Sequence, residues 1–132
     1  MIRPGLQPDN FNWRRECLSL LASSNTLMVP NPDPENTNQP LLLTFDRVDI
    51  AVNKERFPAD AIAHANKRKL YVLLTHSNIK SSPISNESLN RAIKNGISVI
   101  QVQYEPRITI EDNLKRYAWN KRWIHNTRYK IK

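Results

Sequence analysis

Glycine is almost absent from this chain: Gly5 and Gly96 are the only two in 132 residues. Loops that cradle phosphates with backbone N–H groups need glycine, and neither GxGxxG nor a Walker lysine loop is present. Kinase, GTPase and dehydrogenase chemistry is therefore set aside, and no nucleotide cofactor is expected. GxSxG and HExxH are missing as well. Cys17 is the single cysteine. It excludes an intrachain disulfide and leaves too few soft ligands for a cysteine-based zinc site. Set among Leu18, Leu20 and Leu21, it reads as a packed thiol rather than a reactive one. His64, His76 and His125 lie at no metal-ligand spacing, so no metal site is read from them. Apolar runs such as Leu70 to Leu74 fall far short of the roughly 18–20 residues that span a bilayer. The opening MIRPGLQPDNFN has no apolar core of a secretory signal. The expectation is a cytoplasmic protein without a membrane partner.

Acid is also scarce: 12 Asp and Glu face 20 Lys and Arg, a formal charge of +8. With a pI near 9.9, a polyanion partner is the first hypothesis. The charge is concentrated in the last twenty residues, NLKRYAWNKRWIHNTRYKIK. Lys115, Arg116, Lys121, Arg122, Arg128, Lys130 and Lys132 are uninterrupted by acid, and Tyr117, Trp119, Trp123 and Tyr129 are interleaved. The rest of the chain comes close to balance. Cations attract phosphates without regard to sequence, and aromatic rings offer platforms for bases. A second basic group comprises Arg14 and Arg15 beside Trp13, with Lys54, Arg56, Lys67, Arg68 and Lys69; sequence does not say whether it joins the first.

The length suits one α/β domain over residues 1–132, large enough to bury a core without staples. After an extended lead-in, Asp9 or Asn10 can cap a first helix that carries Phe11, Leu18 and Leu21 on one side and ends near Ser23–Asn25. Thr26 to Val29 is a short strand. Residues 30–40, PNPDPENTNQP, form a flexible proline-rich loop, because proline removes backbone donors. Leu41 to Phe45 and Val48 to Val52 read as strands. Pro58 to about Lys67, alanine-rich, reads as a helix, and Leu70 to Thr75 as a strand covered on both faces. Ser85 caps a helix that Gly96 stops, and Ile97 to Tyr104 is a further strand. Thr109 and Asp112 open a last helix from Ile110 to about Trp123, within a basic and aromatic region 110–132. The later alternation of strand and helix predicts a three-layer, mostly parallel small sheet flanked by helices, to which the earlier strands can add an antiparallel edge. With two glycines, crossovers are favoured over tight hairpins.

On that last helix, Ile110, Leu114, Tyr117 and Ala118 suit a core face, while Lys115, Arg116, Trp119, Arg122 and Trp123 fall on the broadly opposite side. Lys115, Arg116, Trp119, Lys121, Arg122, Trp123, Arg128, Tyr129 and Lys130 are the candidate nucleic-acid-binding residues. The competing reading is a solvated basic helix whose tryptophans dock on the domain or on a partner protein.

The acids suggest one enzymatic alternative. Asp46 and Asp49 lie at a strand end, Lys54 follows, and Glu16 sits on the first helix. The order helix, three strands, helix, strand resembles the restriction-endonuclease-like core, whose motif is an Asp followed on the next strand by Glu or Asp, any residue, then Lys. The resemblance implies a nuclease in which carboxylates hold Mg²⁺ and a lysine helps position water. The motif is not intact, since Ile50 and Ala51 follow Asp49 and Lys54-Glu55 has the wrong order, so the match is one of topology. His76, at the C-terminal end of a buried strand, would line a crevice with Thr75, Ser77 and Asn78, where open α/β sheets place their sites. His125 with Arg128 and Tyr129 could serve a metal-independent ribonuclease. The leading expectation is a nucleic-acid-binding accessory protein. A nuclease of either kind is the alternative, and a protein–protein adaptor using the C-terminal aromatics is the third.

Overall fold

A computed structural model describes residues 12–50, 59–76 and 84–129. Helix α1 (Trp13–Ser24) begins where the Asn12 side chain accepts the Arg15 N–H at 3.0 Å, and ends at Asn25 in the left-handed region. The cap is thus Asn12; the expected Asp9 and Asn10 lie outside the described residues. Cys17, Leu18 and Leu21 form its buried stripe. Full burial of a leucine contributes roughly 2 kcal/mol.

Strands β1 (Thr26–Val29) and β2 (Leu41–Thr44) pair antiparallel, with Thr26 opposite Thr44. The intervening proline-rich loop folds back on its own side chains. Asn31 Oδ1 accepts the Asp33 N–H, and Asp33 Oδ1 accepts the Glu35 N–H, both at 3.0 Å. Such Asx turns replace the backbone bonds that proline cannot make.

The larger sheet has five strands: β3 (Arg47–Ile50), β4 (Ala61–Ala65), β5 (Arg68–His76), β6 (Ser98–Tyr104) and β7 (Lys121–His125), side by side in that order. Only β5 and β6 run parallel, joined through α2 (Asn86–Lys94). The other three pairings are antiparallel. The expected mostly parallel sheet is therefore a mixed one, and two local errors explain the difference.

The first concerns residues 58–67. Ala61, Ala63 and Ala65 were compatible with a helix, but they also alternate with Ile62 and His64, and Ala61 and Ala63 are buried. Pairing with β5 outweighs alanine's helix preference. Two residues, Asn66 and Lys67, join β4 to β5, both at positive φ (50° and 67°). That is the pattern of a type I′ hairpin turn, made here without glycine. Asparagine tolerates the left-handed region, and the Asn66 N–H is held by Asp46 Oδ2 at 3.1 Å.

The second concerns the C-terminal helix. Asp112 receives the expected cap, its N–H donating to Thr109 Oγ1 at 3.0 Å. Yet only a π-helical turn, Asp112–Arg116, follows, and Tyr117 is already extended. Asn113, wholly buried, bonds through its side chain to the backbone of Glu105 and Thr109. Asn120 donates to the carbonyls of Gln103 and Asn113, both at 3.1 Å. The chain thus turns onto the open edge of β6 and becomes β7 instead of continuing as a helix.

The core divides by alternation along the central strands. Leu70, Val72 and Leu74 of β5 pack with the α1 stripe, while Leu73 packs with Ala92 of α2, Ile84, Ile97 and Val99. Ser85 caps α2 by accepting the Ser88 N–H at 3.1 Å, and Gly96 takes the left-handed stop at φ 69°, both as the sequence predicts. Among the described residues no helix is long and apolar enough to cross a membrane.

Candidate nucleic-acid interface

The basic residues of the tail separate once β7 replaces the helix. Lys121 points inward and is buried, its Nζ donating to the carbonyls of Asn113 and Tyr117. It closes the π-helical turn and is not available to a phosphate. Burial pulls its pKa down from 10.5 to about 7, with the neighbouring Cys17 opposing in the other direction. Trp123 is also inward, its indole N–H donating to Pro30 O at 2.7 Å. Trp123 was expected on an exposed helical face, and Lys121 was expected to contact nucleic acid although helical spacing put it on the side of Ile110 and Leu114; strand alternation turns Lys121 and Trp123 to the core and Arg122 to the surface. Arg122 is held by Gln101 Oε1 at 2.9 Å, and Gln101 in turn by Thr75 Oγ1 at 2.9 Å.

The preceding turn keeps a mixed patch. Lys115 and Arg116 pair with Glu111 and Asp112 at 3.7 and 3.9 Å. The Arg116 guanidinium lies 5.4 Å from the Tyr117 ring centre, and Trp119, 63 % exposed, sits 5.7 Å from the same ring. Pairing with acids lowers the free charge of Lys115 and Arg116, so Trp119 is the most available member.

Arg128 and Tyr129 are placed by the tail's own turn. Asn126 Oδ1 accepts their N–H groups at 2.9 and 3.2 Å. The Thr127 N–H donates to Ser98 Oγ at 3.0 Å, which ties the tail to the first residue of β6. In the parallel pairing Ser98 lies opposite Leu70, directly after Arg68 and Lys69 at the start of β5. Two segments sixty residues apart in the chain thereby line one groove of about 570 Å³. Its cations are Arg68, Lys69 and Arg128. Its apolar side is built by Leu41, Leu43 and Phe45 of the β1–β2 unit with Leu70 and Trp123. Asn31, Asn66 and Asn126 add amides, and no carboxylate is among the described residues that line it. The one aspartate near its turn, Asp46, is occupied by the Asn66 N–H. Sequence reasoning named Arg68 and Lys69 as basic and could not join them to Arg128, because the hairpin register and the Ser98–Thr127 bond are both long-range. Lys130 lies outside the described residues.

Among the described residues, those suggested for nuclease chemistry do not come together. Asp49 Oδ2 lies 2.8 Å from His64 Nε2 and 3.4 Å from Arg47 Nε on the exposed surface, and these partners hold its carboxyl below the usual range, His64 first. Asp46 serves the hairpin turn. Lys54 lies outside the described residues. His76 ends β5 with its ring 5.8 Å from those of Trp13 and Tyr104, which stack on each other at 5.1 Å. His125 ends β7 opposite Val99 and is not among the residues lining the groove that Arg128 and Tyr129 border.

A carboxylate not singled out as a site candidate is Asp60, which falls within the stretch Pro58 to Lys67 expected as a helix. It is 3 % exposed, forms an ion pair with Arg14 of α1 and accepts the Leu74 N–H at 2.7 Å. The signal was the alternation that makes β4 a strand, which puts Asp60 just before it. With the β1–β2 unit set aside, α1, β3, β4, β5, α2 and β6 keep the order helix, three strands, helix, strand; the elements first assigned to that order do not, because residues 61–65 form β4 and not a helix. Within it Asp60 stands at the start of the middle strand, and Leu74, Thr75 and His76 lie beside it on the next. A leucine stands where the motif would have its second acid, a histidine where it would have its lysine. Among the described residues no group of three His, Cys, Asp or Glu side chains could hold a metal ion.

Compared with known protein families, curated proteins and solved structures, the chain shows no significant match.

Proposed function

We propose that this chain is a nucleic-acid-binding accessory protein whose contact surface is the groove between the β4–β5 hairpin, the β1–β2 unit and the tail, with Trp119 as a further aromatic contact. The observation that carries the reading is the convergence of Arg68, Lys69 and Arg128 on one groove whose described lining has no acid. A single-signed groove against a low-dielectric wall concentrates its field on an anionic partner. The apolar side and the asparagines suit bases better than a purely phosphate ligand, which would favour an all-polar site.

A binding role is favoured over cleavage by the chemistry around Asp60. Arg14 supplies the positive charge that a metal would supply, and Leu74 offers no oxygen ligand. In this reading the fold is three-layered, α1 and α2 covering opposite faces of the mixed sheet, and the restriction-endonuclease-like order of elements is a scaffold without its motif. The site of action is intracellular, where nucleic acid is the abundant polyanion.

The test is incubation with labelled single- and double-stranded DNA and RNA, with and without Mg²⁺, followed for both shift and cleavage. The reading expects a shift at low salt that does not require Mg²⁺, and intact strands. Cleavage lost on adding EDTA would replace it with the metal-dependent nuclease. Cleavage that survives EDTA and is lost in His125→Ala would replace it with the ribonuclease. Absence of any shift would leave the adaptor reading.

A further inference from the structure

We infer that the groove takes a single unstacked base from a single-stranded nucleic acid, with the adjoining phosphates on Arg68, Lys69 and Arg128. This rests on the nucleic-acid reading above and specifies what occupies the site. Phosphates need only cations at a rim; the structure adds a recessed apolar wall that phosphates do not use. Leu41 and Leu43 stand at alternate positions of β2 and so face the same side; Phe45 follows the strand, and Trp123 and Leu70 line the same groove. A volume of about 570 Å³ falls within the range of small-ligand pockets and admits a planar heterocycle with part of its sugar. Asn66 stands beside Arg68 and Lys69, and Asn126 beside Arg128. Each amide can donate to and accept from a base edge while the neighbouring cation meets the backbone.

The arrangement selects against a duplex. In a double helix the bases are stacked and paired, and a recessed slot is reached only by extruding one at a cost of a few kcal/mol. A single strand presents unstacked bases freely. A run of acidic side chains would satisfy the cations, but Asp and Glu have no flat apolar body to set against Leu43 and Trp123.

The probe is a short fluorescent oligothymidylate with the full-length protein at low salt, alongside the same strand carrying one abasic position, the matching duplex and poly-glutamate. A matched pair of variants reads the groove. Leu41 is 40 % exposed and lines it; Leu42, 51 % exposed, is the next residue of β2 and does not line it. Leu41→Glu should weaken strand binding roughly tenfold, the scale of one lost base contact, while Leu42→Glu stays near wild type. The duplex and poly-glutamate should compete poorly. A 5-iodouracil strand should cross-link to Tyr129 or Trp123. The inference is overturned if the two variants behave alike, if duplex or poly-glutamate competes as well as the strand, or if cross-links fall on Trp119 alone. In each of these cases strand binding itself persists and the broader reading stands, whereas loss of all strand binding removes both.

Discussion

A buried lysine is the residue on which the C-terminal turn depends. Lys121 holds the carbonyls of Asn113 and Tyr117, and its burial lowers its pKa from 10.5 to about 7. The unfolded chain keeps the higher value, so between these limits unfolding takes up a proton. Stability must then rise with pH from about 7 upward. Cys17 works the other way. Burial pushes its thiol from 9.0 up to about 12, so above pH 9 the unfolded chain releases a proton that the folded chain keeps. The net expectation is a rise in stability from about pH 7 to 9 that is opposed beyond it. Urea midpoints measured across this range should show the rise in the wild type, and Lys121→Met, which keeps the stem and removes the charge, should flatten it. An unchanged profile in that variant would assign the rise to another group. At the same scale, Trp123→Phe removes the bond to Pro30 O and should cost about 1 kcal/mol, read as a shift in denaturant midpoint.

At the scale of elements, the β4–β5 hairpin fixes the position of Arg68 and Lys69. Its turn places Lys67 at φ 67°, where a Cβ costs about 1 kcal/mol. Lys67→Gly gives the Asn-Gly pair that such turns favour and should stabilise the protein by roughly that amount, less the added chain entropy of glycine. Thermal or chemical denaturation checks it, and destabilisation would mean that the Lys67 stem packs more than its backbone strains. The hairpin also marks where sequence stops being informative. Helices α1 and α2, strands β1, β5 and β6, the Ser85 cap and the Gly96 stop were legible, because each carries a local signal of period, cap or stop. Residues 61–65 satisfied two periods at once, and only pairing with β5 chose between them. Residues 117–123 had helical spacing, but Asn113 and Asn120 spend their amides on distant backbone, and the free edge of β6 takes the rest as a strand. The groove was legible as a list of cations and not as a place. Asp60 was hidden by the same misreading that hid β4.

For the whole molecule, the decisive property is where the +8 formal charge is left free. Lys115 and Arg116 are paired with acids, Lys121 is buried, and Arg14 is committed to Asp60. Arg68, Lys69 and Arg128 stand together at the groove, where the described lining has no acid. Net charge alone would predict attraction to any polyanion from any side. The proposed interface makes a narrower claim, that affinity is carried by three cations drawn from two distant segments. The direct measurement is a salt titration of single-strand binding for the wild type and for the double variant Arg68→Ala with Arg128→Ala. For the wild type the logarithm of affinity should fall linearly with the logarithm of salt concentration. Each lost phosphate contact on a single strand reduces that slope by about 0.7, so the double variant should be shallower by about 1.4 and weaker at low salt. An affinity and a slope identical to those of the wild type would contradict the account.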